Sequence, residues 1–588
     1  MRMCAVLLVT ALICVALPAS AAVELIKGGR TDYSIVIAKN ASLSEHWAAS
    51  ELKSFMNQMS GIILPYAPDS TDVPEKAILV GNSQALDSLG LDIDFKDLGE
   101  EGFTIKTVGS RIVIAGGRER GTMYGVYTFL EMLGCRFLSA DVNKVPKRTD
   151  IVLENIDTTQ KPAYEYRRIG ICEADDPIFS ARLRCPTKQP DAKYGGGITY
   201  FPFVHSFYSL VPRDIYWDSH PEYYSLIDGK RQKHPTQLCL TNPEVLDIAK
   251  KTVLEWMRDH PDADIISVSQ NDNMSSCQCP KCRAIEQEEG SPAGLMLRFV
   301  NAVAEETEKY YPDKLIDTLA YGWTVHPPKI TKPRANVRVR LCPIECCETH
   351  PYEQCNFKAN ISFLEDLKGW AKLTDKLYIW HYNTDFSNYQ MPFPDFRELM
   401  DSAKLYRKNG VKGIFWQGAY NCGHSELGEL RAYLLSKISW NPDVDGEAII
   451  KEFCDDFYGS SGKYIYQYIT LLEDKVADEN IHMQICEKPT CPCFSPDIIA
   501  KSDRLFAKAM SVADSHDILY RVKQAYLPIK YVKLMQPILR KETDGKEAEY
   551  EKRIDEFLDE CESYGITRIK EGLTVDKARE SFKKMLYK

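Results

Sequence analysis

Tyr378-Ile379-Trp380-His381-Tyr382-Asn383-Thr384-Asp385 passes within one short stretch from apolar and aromatic residues to amides and a carboxylate. Working outward, Gly413–Trp416 does the same through Phe415-Trp416-Gln417-Gly418. Val337–Pro343 leads into Cys342-Pro343-Ile344-Glu345, and Ile265–Ser269 into Gln270-Asn271-Asp272-Asn273. Runs of this kind, rich in β-branched and aromatic residues and closed by turn formers, read as strands. Tyr164–Ile171, Val204–Leu210, Gln237–Leu240 and Ile316–Tyr321 bring the number of candidate strands to eight. Helical spacings over Pro243–Asp259, Pro292–Tyr311, Phe363–Leu373 and Phe396–Asn409 separate the later ones. Alternation of this kind predicts a (β/α)8 TIM-type barrel over residues 160–445.

The flanks differ from the centre. Residues 22–155 hold three β-branched runs, Ser34–Ala38, Ala77–Gly81 and Arg111–Ala115, with helices over Ser44–Met59 and from near Arg120 to Gly134. They read as a small α/β accessory domain. Residues 446–588 show long helical periodicities, Ser502–Leu539 and Lys546–Tyr564 among them, and few strand signals. Residues 1–21 carry one charge (Arg2), an apolar run and the small residues Pro18-Ala19-Ser20-Ala21, the pattern of a signal peptide cleaved near Ala21. Secretion or export to a periplasm is therefore expected, with no integral membrane segment.

Composition is that of a globular protein, 44% apolar and 27% charged. The net charge of −10 and the lack of a local basic patch argue against a nucleic-acid partner. HExxH, GxSxG and P-loop patterns are missing from the sequence, and Gly116–Gly121 lacks dinucleotide spacing. No cofactor is expected.

In a TIM-type barrel the chemistry lies on the loops after the strands' C-terminal ends. Carboxylates, amides and aromatic rings converge there, which suits glycoside hydrolysis: one carboxylic acid protonates the leaving oxygen and a second group stabilises the cationic sugar centre. Asp272, flanked by amides, and Glu345, following an apolar strand, are the leading carboxylates. Asp385 and Glu426 lie farther into loops. Asn271, His205, Arg167, Tyr321, Trp380, Tyr382, Asp385, Trp416 and Gln417 are the candidate sugar-binding residues.

Processing after Ala21 leaves 17 cysteines. Cys277-x-Cys279-x-x-Cys282 has metal-ligand spacing, with Cys346-Cys347, Cys355 or a distant His as possible partners. In an exported chain disulfides compete with metal, so the reading favours structural thiols or disulfides and assigns no metal.

Gly116-Gly117-Arg118-Glu119-Arg120-Gly121-Thr122-Met123-Tyr124-Gly125-Val126-Tyr127 resembles the accessory domain that precedes the barrels of family 20 hexosaminidases and family 67 α-glucuronidases. His220-Pro221-Glu222-Tyr223, Gln237-Leu238-Cys239, Asn271-Asp272 with Cys277-Gln278-Cys279-Pro280-Lys281-Cys282, Asn301-Ala302-Val303-Ala304 and Leu430-Arg431-Ala432-Tyr433-Leu434 resemble the domain of unknown function 4838. That domain includes the family 163 glycoside hydrolases, and the resemblance implies a secreted endo-β-N-acetylglucosaminidase acting on oligosaccharide or glycoprotein N-glycans. A β-N-acetylglucosaminide can supply its own acetamide oxygen as nucleophile, with Asp272 as acetamide partner and Glu345 as acid/base. The resemblance also implies an acidic residue where His381 stands and a glutamate near Trp416 or Gln417. Those departures point to another substrate, to reduced activity, or to a non-catalytic carbohydrate-binding protein on a hydrolase scaffold. A second enzyme reading is an α-glucuronidase-like exo-hydrolase, which needs a cationic pocket for the uronate supplied by Arg167 or Arg168.

Overall fold

The computed structural model describes residues 22–187 and 189–587. The expected signal peptide, residues 1–21, lies outside the described residues. The chain divides into two compact units. One comprises residues up to Leu133 together with Val145–Gln160; the other comprises Gly134–Lys144 and Lys161 onward.

The first unit is built on a six-stranded mixed sheet. Its central strands are Ser34–Ile37, Ala77–Val80 and Arg111–Gly116, parallel to one another, and Phe103–Val108 and Asp157–Gln160 extend the sheet antiparallel. Helix Leu43–Ser60 begins with a capping box, in which Glu45 N–H donates to Ser42 Oγ and Ser42 N–H donates to the Glu45 carboxylate at 2.8 Å. Helix Gly121–Met132 follows the Gly116-Gly117 turn. A Cβ on Gly117 would sit 1.5 Å from the Gly99 carbonyl oxygen, so the glycines serve close backbone packing.

The second unit holds a curled parallel sheet, a TIM-type half-barrel, in the order Tyr166–Gly170, Gly413–Gln417, Leu377–Tyr382, Val337–Leu341, Leu315–Ala320, Ile265–Ser267. Six of the eight expected strands form. Val204–Leu210 is not a strand. Residues 199–207 do run beside the open edge, where Tyr200 bridges Ile265 and Phe207 N–H donates to the Ser269 carbonyl at 3.1 Å. Pro202 within this stretch has no N–H to give a ladder. Gln237–Leu240 is a loop, because the Gln237 side chain binds the turn after Ile265–Ser267. Gln237 Nε2 donates to the carbonyls of Asn271 (2.8 Å) and Asn273 (2.7 Å), and Oε1 accepts Asn271 N–H (2.9 Å).

The barrel interior is aromatic around one ion pair. Tyr166 stacks on Tyr378 with centroids 5.6 Å apart, and Arg340 meets Asp317 at 2.7 Å with both side chains fully buried. The Arg340 guanidinium lies 4.6 Å from the Phe203 ring centroid and 5.0 Å from that of Trp380. Beyond the barrel the chain is helical, as expected. The predicted Ser502–Leu539 helix is two helices, Pro496–Val512 and His516–Leu539, and a short hairpin pairs Arg568–Lys570 with Leu573–Thr574.

Candidate active-site cleft

A cleft of about 510 Å³ opens at the C-terminal end of the half-barrel sheet. Strand alternation decides what reaches it, because successive side chains point to opposite faces. On Leu377–Tyr382, Trp380 and Tyr382 face the cleft; on Gly413–Gln417, Phe415 and Gln417 do; on Tyr166–Gly170, Arg168 does. The intervening residues face outward. Arg167 is buried, donating to the carbonyls of Tyr164 and Arg184, and does not line the cleft. Trp416 is buried and donates its indole N–H to Ser439 Oγ at 2.8 Å. His381 is buried between Tyr406 (2.7 Å) and Glu398 (3.1 Å), with Glu348 at 3.6 Å. Burial holds this imidazole down at about 4 and pushes both carboxyls well above their usual range. The three therefore form a neutral buried network, and the substitution at His381 falls outside the cleft.

Asp272 lines the cleft, exposed, and accepts the Tyr321 hydroxyl proton at 2.8 Å. Burial, then the Asp272 charge, pushes the Tyr321 phenol above its usual range. The backbone carbonyl of Tyr321 is held by Gln270 Nε2 at 2.8 Å, and the Gln270 carbonyl meets His205 Nδ1 at 2.8 Å. With only an acceptor in front of it, Nδ1 carries a proton and donates it to that carbonyl. Trp380 Nε1–H donates to Gln417 Oε1 at 2.7 Å, fixing the indole plane in the cleft wall.

Other expected residues serve elsewhere. Asn271 is buried, and its amide donates to the Thr236 carbonyl at 2.8 Å, holding the turn that presents Asp272. Glu345 is exposed on the rim, where its charge helps to raise the Tyr321 phenol but its side chain does not line the cleft. Asp385 is buried under the rim, accepting from Asn388 Nδ2 and Glu487 N–H (2.6 Å), and burial pushes it up to about 8. Glu426 is buried against Arg431 at 2.6 Å. Cys277, Cys279 and Cys282 come together, buried, and Cys239 joins them.

Of the two arginines weighed for a uronate, the structure brings Arg168 and not Arg167 to the cleft, because the two sit on opposite faces of their strand. One charged cleft residue escapes sequence reasoning. Glu571, in the hairpin turn of the C-terminal region, is exposed to the cleft and accepts from Tyr420 Oη at 3.1 Å. No local signal in the sequence marks it.

The profile of the family described as "Domain of unknown function (DUF4838)" matches residues 137–470, more than half of the chain. The chain belongs to the DUF4838 family. In this DUF4838 protein residues 27–129 also match the profile described as "Glycosyl hydrolase family 67 N-terminus". No curated protein matches the chain. Among solved structures it is similar to a family GH115 4-O-methyl-α-glucuronidase with specificity for decorated arabinogalactans. That match has a TM-score of 0.57 and 14% identity, covering 92% of this chain and 77% of that one. It is also similar to a GH138 enzyme targeting pectin rhamnogalacturonan II, with a TM-score of 0.50 and 11% identity, covering 94% and 98%. At these identities the likeness establishes a shared fold, that of TIM-barrel glycoside hydrolases. Among the described residues no helix is long and apolar enough to cross a membrane.

Proposed function

We propose that this DUF4838 protein is an exported glycoside hydrolase of the β-N-acetylglucosaminidase type, acting on oligosaccharide or glycoprotein glycans. The observation that carries the reading is the Asp272–Tyr321 pair in an aromatic-walled cleft at the barrel's C-terminal end. Aromatic faces bind sugar rings, and a carboxylate fixed by a phenol can orient a 2-acetamido group for attack on the anomeric carbon. In that step the acetamide oxygen bonds to the anomeric carbon as the glycosidic bond breaks. A carboxylic acid at the cleft, Glu345 on the rim or Glu571 in the lining, protonates the leaving oxygen. The cyclic intermediate is then opened by water, whose proton returns to that acid.

A thiazoline analogue of the cyclic intermediate tests this reading. Tight competitive inhibition of aryl β-N-acetylglucosaminide hydrolysis is expected. Thiazoline binding without turnover of any glycan would leave a carbohydrate-binding protein instead.

Arg168 supports a second reading. Its guanidinium reaches the cleft over Phe203 (4.5 Å) and Phe415 (4.8 Å), where a uronate carboxylate would find a cation. The α-glucuronidase among the similar structures and the family 67 N-terminal match belong with it. Release of uronic acid from glucuronosides, abolished in Arg168→Met, would favour this alternative over the acetamido substrate.

A further inference from the structure

Outside the cleft, two clusters of thiols and imidazoles have the spacing of metal ligands. We propose that Cys239, Cys277, Cys279 and Cys282 bind one zinc-type cation, and that Cys347, His350, Cys355 and His482 bind another.

The first cluster brings four buried sulfurs within 4.8 Å of one another. Cys239 Sγ and Cys279 Sγ are 3.8 Å apart. A disulfide would require about 2.05 Å. Zinc–thiolate bonds of about 2.3 Å in a tetrahedron place the sulfurs about 3.8 Å apart. The surroundings suit thiolate charge. Cys277 Sγ accepts Leu226 N–H at 3.3 Å and faces Arg231 Nη1 at 3.6 Å, and Cys279 Sγ accepts Cys282 N–H at 3.5 Å. A tetrathiolate zinc site carries two net negative charges, and these donors face them. Metal entry displaces four thiol protons to solvent. The site would tie the Gln237–Cys239 loop to the segment that follows Asp272.

The second cluster stands on separate observations. Cys347 Sγ lies 3.3 Å from both His350 Nδ1 and His482 Nδ1, and Cys355 Sγ lies 3.6 Å from His482 Nδ1. Zinc bonds of about 2.3 Å to sulfur and about 2.0 Å to nitrogen give a tetrahedral edge of about 3.6 Å. His350 Nε2 meets the Val476 carbonyl at 3.1 Å, which puts the ring proton there and turns the Nδ1 lone pair toward the cluster. Two thiolates cancel the cation's charge, so this site needs no counter-ion.

The second site also ties two cleft walls together. Its cysteines follow Ile344, and His482 precedes Ile485 and Cys486; all three of these neighbours line the cleft. Glu348 N–H donates to the Met483 carbonyl at 2.9 Å, and Gln484 Nε2 to that of Glu345 at 2.8 Å. Removing the ion would leave hydrogen bonds alone to hold the segment, these two together with those of Thr349 and Phe386 to residues 481–485.

Elemental analysis of the full chain, purified without chelator, should find two zinc ions per molecule. Cys279→Ser should remove one, and His482→Ala the other. His482→Ala should also speed amide exchange through residues 481–486, whereas Cys279→Ser should not. Should either variant fail to fold, cobalt exchange into the wild-type chain decides: tetrahedral spectra with strong sulfur-to-cobalt absorption are expected, summing to six thiolates. A metal-free folded chain, or disulfides mapped within either set, would overturn the corresponding site. So would an unchanged zinc content in its variant.

Discussion

Tyr321 Oη and Asp272 Oδ1, 2.8 Å apart, join the ends of two adjacent barrel strands through a side-chain hydrogen bond inside the cleft. Hydrogen bonds to charged groups contribute about 1.5–3 kcal/mol. Tyr321→Phe should therefore lower kcat/KM about 10- to 100-fold on an aryl β-N-acetylglucosaminide. Asp272→Asn should lower it further and for every leaving group. Equal, small effects from both variants would remove Asp272 from the reaction.

Glu345 and Glu571 compete for the role of acid. Losing a general acid commonly costs about 10²–10⁴-fold, and most for poor leaving groups. Glu345→Gln should slow unactivated glycans far more than aryl glycosides, while Glu571→Gln should leave that ratio unchanged. The reverse pattern would transfer the role to the cleft-lining Glu571.

Under the cleft, the Arg340–Asp317 pair is an ion pair with no solvent access. Removing one partner leaves an uncompensated charge, at about 3–5 kcal/mol. Arg340→Met should show that loss in urea unfolding. The double variant with Asp317→Asn should recover part of it.

Asp385 supplies a pH signature. Its folded-state value of about 8 lies above its ordinary 3.8. The unfolded chain thus loses this proton first as pH rises. The stability contribution is full below about pH 4 and declines up to about pH 8, with a slope of at most about 1.4 kcal/mol per pH unit. Asp385→Asn should flatten the fall in Tm across that window; an unchanged slope would show that Asp385 is already ionised when folded.

Six barrel strands and the helices between the later ones were legible because β-branched runs and 3.6-residue spacing are local properties. Strand phase was not. A parallel barrel strand is buried on both faces, so its sequence reads as a continuous apolar run without visible alternation. Hence the sequence does not separate the inward Trp380 and Tyr382 from the outward Trp416, or the cleft-facing Arg168 from the buried Arg167. Asp272 and Tyr321 were accessible to reasoning because each follows a strand closely. Glu571 was not, since it arrives by a tertiary contact from a hairpin turn. Cys239 and His482 likewise meet their clusters only through folding, across 38 and 127 positions from Cys277 and Cys355.

The position of Glu571 also has a consequence for biosynthesis. The cleft takes one wall from strands complete by Gln417 and another from residues 485, 486 and 571. A ribosome must translate 154 further codons after Gln417 before that last side chain exists. A nascent chain with a finished half-barrel still has an open, one-sided groove. The enclosed cleft therefore exists only once nearly the whole chain has been made.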